Sequence, residues 1–323
     1  MNSVYQFIKE NHMLAVIELA QNRKAFTLNL SRFEIKEIPD LVTTCNTLMK
    51  LYLDHNEIIK LPDNIINLTR LHTLTLDYNC LKEFPLVVCE LTGLKYLNLS
   101  CNEINTLPPQ IGHLTSLQVF WCNNTNLQHI PEEIGNCELI ETFGARGNEI
   151  KKLPESIGLL KKLSWLTLEN NQIDSLPEAF VALNKLAHLN LKRNQLKEIP
   201  KQISELKKLQ YCFLNCNQIN NVDIDSLDKY NLIKLIDLED NPIDATVKDL
   251  ALLKCKNISF ENKDSNQTST TQNDDSDDED VSDWENSIDT SDIDTNEETG
   301  DEHDPEDISM FIPALAKYIT TFN

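Results

Sequence analysis

Glycine is scarce in this sequence, and long apolar runs are missing. Seven of the 323 residues are Gly, and none of them belongs to a Gly-rich phosphate loop or a Gly-x-Ser-x-Gly nucleophile turn. No segment reaches the roughly 18 consecutive apolar residues that a membrane-spanning helix needs. The start of the chain also lacks the basic residues and apolar block of a secretory signal. We therefore expect no catalysis, no cofactor and no association with a membrane.

Cysteine spacing argues against the common metal frameworks. The nine cysteines form no Cys-x-x-Cys pair and no Cys/His zinc spacing, and the seven histidines are dispersed. Unpaired thiols pack as small apolar groups, and scattered free thiols are typical of a reducing compartment. We expect no metal site and a cytoplasmic location, with the nucleus as the alternative.

Basic residues are few, and the acidic ones are concentrated toward one end. The formal net charge is −22, and residues 261–307 hold 20 Asp and Glu against one Lys. Residues 1–260 hold 31 acidic and 27 basic side chains, so this larger part is nearly neutral. A polar acidic segment with few apolar residues is expected to be disordered, and its charge repels phosphates. We predict no nucleic-acid partner.

A repeated phrase, Leu-x-x-Leu-x-Leu-x-x-Asn-x-Leu, organises the rest of the chain. Counting from Leu48, it recurs every 23 residues as far as Leu209, with weaker copies at Leu117 and Ile140, and a step of 24 reaches Ile233. One step back from Leu48 gives a first copy at Ala25. A Leu-Pro or Ile-Pro phrase follows in seven of the first eight repeats, and Phe84-Pro85 takes its place in the third. The ninth repeat breaks the phrase at Val222-Asp223.

The physical meaning of each part of the phrase is direct. Leu-x-Leu makes a short strand with one buried face, and identical strands stack in parallel. The Asn side chain can satisfy backbone groups where the chain turns out of the strand and in the next repeat. Proline then prevents a long helix, which favours an extended return or one 3₁₀ turn. The sequence thus predicts an α/β solenoid of about ten repeats over residues 25–260, with a parallel concave sheet.

The Asn-x-Leu-x-x-Leu-Pro-x-x-Ile-x-x-Leu phrase resembles the Ras-group class of intracellular leucine-rich-repeat proteins, which includes the Ras suppressor protein, a Ras–Raf scaffold and plant relatives. The resemblance covers residues 25–255 and rests on structural positions. It implies an interaction scaffold in intracellular signalling. Some members bind small GTPases or phosphatase subunits, so the resemblance also implies a partner of that kind.

Both ends of a solenoid need covers. Residues 1–24 predict a capping helix that opens with a Ser3-x-x-Gln6 capping box, and a membrane-surface helix is the alternative. The apolar face predicted for this helix comprises Val4, Ile8, Ala15 and Leu19. The residues predicted to close the other end are Leu250, Leu252, Leu253, Ile258 and Phe260. Lys256-Asn-Ile-Ser-Phe260 also resembles a phosphatase docking motif, although a capping strand explains the same apolar pair.

Two features lie beyond the repeats. Five hydroxyl residues each precede an acid by three positions, which is typical of acidophilic kinase sites: Ser276, Ser282, Ser291, Thr295 and Thr299. Residues 308–323 turn apolar again and are expected to dock on the solenoid or on a partner.

The candidate binding residues are the non-leucine positions of each strand, which point out of the concave face. Aromatic and basic side chains, which dominate binding hot spots, are frequent there and just beyond. The predicted protein-binding set is Tyr52, Tyr78, Tyr96, Trp121, Arg146, Trp165, His188, Lys192, Arg193, Tyr211 and Phe213. Between Trp121 and Trp165, the small Gly144 suggests a shallow pocket beside Arg146. Aromatic residues also simply favour strands, which is the alternative interpretation.

Taken together, the sequence predicts a monomeric, non-enzymatic scaffold that binds a protein on its concave face. Two alternatives remain open: an acidic-tailed nuclear chaperone for basic proteins, and a phosphatase regulatory subunit.

Overall fold

A parallel sheet of eleven short strands runs through residues 2–260, the part of the chain that the computed structural model describes. The strands follow each other in sequence order without a crossover. They are β1 (Thr27–Asn29), β2 (Lys50–Tyr52), β3 (Thr73–Thr75), β4 (Tyr96–Asn98), β5 (Val119–Trp121), β6 (Thr142–Gly144), β7 (Trp165–Thr167), β8 (His188–Asn190), β9 (Tyr211–Phe213), β10 (Leu235–Asp237) and β11 (Ile258–Ser259). The predicted solenoid is confirmed, and β1–β10 coincide with its ten repeats.

Register in the sheet follows the sequence period. Leu51 pairs with Leu74, and Leu74 pairs with Leu97, so each strand sits one repeat from its neighbour. The central residue of each strand points inward and is buried, whereas its two neighbours point to the concave face. Equivalent side chains therefore form rows that run across the strands.

Short 3₁₀ helices follow the proline phrases and form the opposite side of each repeat, as the proline spacing predicts. They span Asp40–Thr44, Asp63–Asn67, Leu86–Glu90, Pro109–His113, Glu132–Asn136, Glu155–Leu159, Glu178–Ala182, Lys201–Glu205 and Ile224–Tyr230. The last is longer and replaces the missing proline with Asp223, whose side chain accepts a hydrogen bond from the Asp225 N–H at 3.2 Å.

The asparagine ladder connects neighbouring repeats. Asn171 Nδ2 donates to the carbonyls of Ala145 at 2.9 Å and Leu168 at 3.0 Å, and its Oδ1 accepts from the Ile150 N–H at 3.0 Å. Each ladder asparagine thus bonds to backbone groups of its own repeat and of the preceding one. The prediction from sequence that it bonds to the next repeat is wrong. Thr125 breaks the ladder, but its hydroxyl still donates to the Cys122 carbonyl at 3.0 Å.

All nine cysteines are free thiols. Cys45, Cys122, Cys137 and Cys212 are buried where the repeat otherwise places Leu. Burial raises the pKa of Cys137 to about 12, so this thiol stays neutral and packs as an apolar group.

The N-terminal helix, α1, spans Asn2–Asn22. The face predicted for it is wrong, because Ile8 is 61% exposed while Val16, Ile17 and Ala20 are buried. The end of the helix lies against the first 3₁₀ helix, where Gln21 Nε2 donates to Thr44 Oγ1 at 3.0 Å. From Phe7 onward, the fully buried side chains of α1 are thus confined to its last turns, although His12 also contacts the Phe33 ring, with centroids 5.6 Å apart. Ser3 lies within the first helical turn, because the helix already begins at Asn2.

The C-terminal cap consists of α2 (Ala245–Lys254) and β11. The prediction that Leu250, Leu252 and Leu253 close the stack is wrong, because these side chains are 51%, 47% and 80% exposed. The helix instead packs through the small Ala251, which leaves the leucines pointing away. Ile258 is buried in β11, as a capping strand requires.

The predicted acidic segment 261–307, its five candidate phosphorylation sites and the apolar segment 308–323 lie outside the described residues. Within residues 2–260, neither helix combines the length and hydrophobicity that crossing a membrane demands.

Candidate functional site

Three aromatic rings stack in one row on the concave face. Trp165, His188 and Tyr211 occupy the first position of β7, β8 and β9, and the strand register pairs each with the next. The Trp165 and His188 ring centroids are 4.1 Å apart, and those of His188 and Tyr211 are 4.8 Å apart, each pair at 18° between planes. All three side chains are partly exposed. We call these three residues the ring stack.

A cation extends the ring stack at one end. Lys234 Nζ lies 5.6 Å from the centroid of the Tyr211 ring, within the range of a cation–π contact. Burial, and next the charge of Lys234, hold the pKa of His188 below its ordinary value. His188 is therefore a neutral imidazole at neutral pH, and it contributes an aromatic surface rather than a charge. Phe213, at the other end of β9, is also partly exposed.

Trp121 does not belong to this exposed set. It is 8% exposed, and its indole lies over Gly144 of the next strand, where an added Cβ would fall 2.1 Å from Cε3. The predicted pocket between Trp121 and Trp165 is therefore wrong, because the Trp121 ring fills the space that Gly144 leaves. Arg146 follows β6 at partial burial, with its N–H donating to Asn123 Oδ1 at 2.8 Å.

The predicted binding residues that follow the strands occupy two different repeat positions, one held by Lys192 and the other by Tyr78 and Arg193. Lys192 Nζ is 3.8 Å from Glu169 Oε1, and Asn190 Nδ2 donates to Glu169 Oε2 at 3.2 Å, so a buried carboxylate orients this lysine. Tyr78 and Arg193 instead occupy the turn, with left-handed φ values of 51° and 54°. Both are exposed.

The other end of the concave face is acidic. Asp54 accepts hydrogen bonds from Ser31 Oγ at 2.6 Å and Thr75 Oγ1 at 3.1 Å. Burial raises the pKa of Asp77 to about 7, and the Asp54 charge adds to this effect. Burial also raises the pKa of Tyr96. This end thus holds one well-satisfied carboxylate and one that resists ionisation.

Tyr52 completes the acidic end. It pairs in register with Thr75 and is partly exposed, and burial followed by the Asp54 charge raises the pKa of its hydroxyl. His55 stacks on Tyr78 with centroids 4.3 Å apart. His55 and Lys234 were not among the predicted binding residues. Their contacts follow from the register of neighbouring repeats, which is the signal that identifies them.

Within residues 2–260, no three His, Cys, Asp or Glu side chains are placed to hold a metal ion. The chemistry of the concave face is therefore that of rings, hydroxyls, amides and isolated charges. Such a surface suits non-covalent contacts with another macromolecule.

Comparisons with known proteins agree with the repeat geometry. Residues 93–114 and 146–196 match leucine-rich-repeat families. No curated protein sequence matches the chain. The ectodomain of the membrane receptor kinase GASSHO1/SCHENGEN3 from Arabidopsis thaliana, solved with CASPARIAN STRIP INTEGRITY FACTOR 2, is 27% identical with a TM-score of 0.58, over 70% of this chain and 28% of that one.

A second solved structure shows the same fold. The Arabidopsis receptor kinase HAESA, in complex with the peptide hormone IDA and the co-receptor SERK1, is 24% identical with a TM-score of 0.60. That match covers 69% of this chain and 39% of HAESA, so this chain spans well under half the length of either plant structure. Together with the eleven-stranded sheet and the asparagine ladder, these matches show that residues 2–260 have a leucine-rich-repeat fold.

Proposed function

We propose that this protein is a non-enzymatic interaction module that binds a protein partner on its concave face at the ring stack. The observation that carries the proposal is the in-register stacking of Trp165, His188 and Tyr211 on three adjacent strands. Trp and Tyr are enriched in binding hot spots. Rings that hold each other in place lose little side-chain entropy when a partner covers them.

The stack also favours binding over the simpler view that aromatic residues merely suit strands. A strand preference alone is satisfied by Val or Thr, which occupy the same row at Val119 and Thr142. The rings are instead grouped where the face also carries the oriented Lys192 and the Lys234 cation. The relative at 27% identity, GASSHO1/SCHENGEN3, was solved with a protein ligand, which supports a protein partner here.

The partner class and the compartment form a finer part of the proposal. The resemblance to the Ras-group class favours intracellular signalling, with a small GTPase or a phosphatase subunit as partner. Nine free thiols, including deeply buried ones, favour a reducing compartment such as the cytoplasm. The phosphatase docking motif gains no support, because Ile258 is buried in β11.

The test is a quantitative pull-down with identification of the captured proteins. The variant Trp165→Ala plus Tyr211→Ala is compared with the wild type and with Phe26→Ala, an exposed aromatic at the other end of the sheet. We expect the ring-stack variant to lose one specific protein that the wild type and Phe26→Ala retain, with circular dichroism unchanged. Equal capture by all three folded proteins would disprove the ring-stack site.

Salt concentration separates this function from an acidic nuclear chaperone. Contacts made by rings persist when salt is raised, whereas binding through an acidic segment is screened. Capture that disappears at high salt, with histone-like basic proteins in the bound fraction, would favour the chaperone instead.

A further inference from the structure

We infer that a row of lysines at the strand-entry edge of β7–β9 is a second interaction surface, and that it binds an acidic polypeptide segment. The row comprises Lys161, Lys162, Lys185, Lys207 and Lys208, and we call it the lysine edge. It goes beyond the proposed function, because it is a different surface and does not depend on partner binding at the ring stack.

Position in the repeat brings these lysines together. Lys162, Lys185 and Lys208 occupy the same place in three consecutive repeats, immediately before the buried leucine that leads into the strand. Because parallel strands lie about 4.8 Å apart, equivalent residues follow each other at that spacing along the edge. Lys161 and Lys207 precede them by one residue and widen the row.

All five side chains are exposed. Lys161 Nζ donates to the carbonyls of Gly158 at 2.6 Å and Ala182 at 3.2 Å, where two 3₁₀ helices end. Within residues 2–260, none of Lys162, Lys185, Lys207 and Lys208 makes an ion pair. By repeat position and by sequence, the acids next to the row are Glu138, one repeat before Lys161, and Glu205, so the five lysines outnumber them.

The fold alone does not account for this arrangement. Like charges in adjacent repeats repel each other, so placing three lysines at one repeat position costs stability. Earlier repeats avoid that cost, with Thr47, Arg70 and Gly93 in the corresponding position. A charge excess that lowers stability and is confined to three repeats is expected where an anionic partner compensates for it.

The chemistry favours an acidic polypeptide over single-stranded nucleic acid. Binding of single strands combines cationic grooves with rings on which bases stack. The rings nearest this edge stack on each other at 4.1 and 4.8 Å, which leaves no space for a base between them. Carboxylates of an acidic polypeptide pair with exposed ammonium groups and need no aromatic platform.

The experiment measures binding of a fluorescent eight-residue peptide of Asp and Glu to the full chain by anisotropy. We expect salt-sensitive binding by the wild type and roughly tenfold weaker binding by Lys162→Glu plus Lys208→Glu. The matched control is Lys151→Glu plus Lys152→Glu, which makes the same charge change at exposed positions that follow β6 and precede the 3₁₀ helix Glu155–Leu159. Lys162→Arg plus Lys208→Arg is expected to bind as the wild type does.

Several outcomes would overturn the inference. They are no binding by the wild type at low salt, equal weakening by both Glu pairs, and tighter binding of an oligonucleotide of equal charge or of anionic vesicles than of the peptide. Trp165→Ala plus Tyr211→Ala is expected to bind the acidic peptide normally. Normal binding would show that the lysine edge works independently of the ring stack, so either proposal can be disproved without the other. Loss of peptide binding in this variant would refute a separate surface.

Discussion

The indole of Trp121 occupies the space above Gly144, where a Cβ would lie 2.1 Å from Cε3 and 2.3 Å from Cζ3 of that ring. The pair comes from adjacent strands in register, since Trp121 and Gly144 are Cα partners in the β5–β6 ladder. The absence of a side chain at Gly144 is what allows a large ring to lie flat on the concave face. Trp121 is consequently part of the packing of the solenoid and not a free binding anchor.

Gly144→Ala is therefore expected to destabilise the protein. The methyl group must displace a rigid ring, and such overpacking costs about 1–3 kcal/mol. Chemical denaturation measures the loss. Gly93→Ala is the matched control, because the nearest atom to a Cβ there is Leu71 O at 3.8 Å. Equal stability of the two variants would show that the Trp121 ring moves away at little cost.

Asn171→Ala tests the ladder that joins the repeats. The substitution removes hydrogen bonds to the carbonyls of Ala145 and Leu168 and from the N–H of Ile150, all buried. Buried backbone groups without partners are expected to lower the free energy of unfolding by about 1–3 kcal/mol. Asn184→Ala, at an exposed turn position, is expected to change it little. A small loss in both would mean that water replaces the amide.

The repeats could be predicted from sequence because each position is set by a local rule. Alternation of Leu fixes the strands, and proline fixes the 3₁₀ return, so neither needs information from distant residues. No local rule predicts that Trp121 is buried while Trp165 is partly exposed, since both occupy outward positions. The exposure of each ring depends on its partner in the next strand, which is Gly144 for Trp121 and His188 for Trp165.

The caps were harder to predict for a related reason. A terminal helix covers only as much apolar surface as the last repeat presents, and periodicity within the helix does not reveal that area. Ile8 and Leu253 fit an amphipathic pattern yet remain 61% and 80% exposed. The residues that do pack, Ile17 and Ala251, are those that face the adjoining 3₁₀ helix or strand.

Asp77→Asn is expected to stabilise the protein at alkaline pH. Burial and the Asp54 charge raise the pKa of Asp77 to about 7, so the folded state holds a proton that the unfolded state has released. Stability is then lost as pH rises from about 4, the unfolded pKa, to about 7. Because Asp77 is partly exposed, we expect a gain of only about 1–2 kcal/mol for the variant at pH 8.

The same comparison at pH 3.5 provides the control for Asp77. Below both pKa values the aspartic acid is neutral in both states, so the two proteins are expected to be about equally stable. Denaturation curves across this pH range measure the difference. A constant difference at every pH would place the effect in packing instead of ionisation.

The last prediction concerns the lysine that extends the ring stack. Burial is the main cause that lowers the pKa of His188, and the charge of Lys234 is the second. Lys234→Ala is therefore expected to raise the His188 pKa part of the way toward its ordinary value, as measured by NMR titration of the imidazole protons. His72 supplies an internal control, because its pKa is lowered by burial and by Lys95 and Arg70. Lys95→Ala is expected to move His72 and leave His188 unchanged, whereas Lys234→Ala does the reverse. If Lys234→Ala left His188 unmoved while Lys95→Ala shifted His72, the cation would not sit over the stack as the geometry indicates.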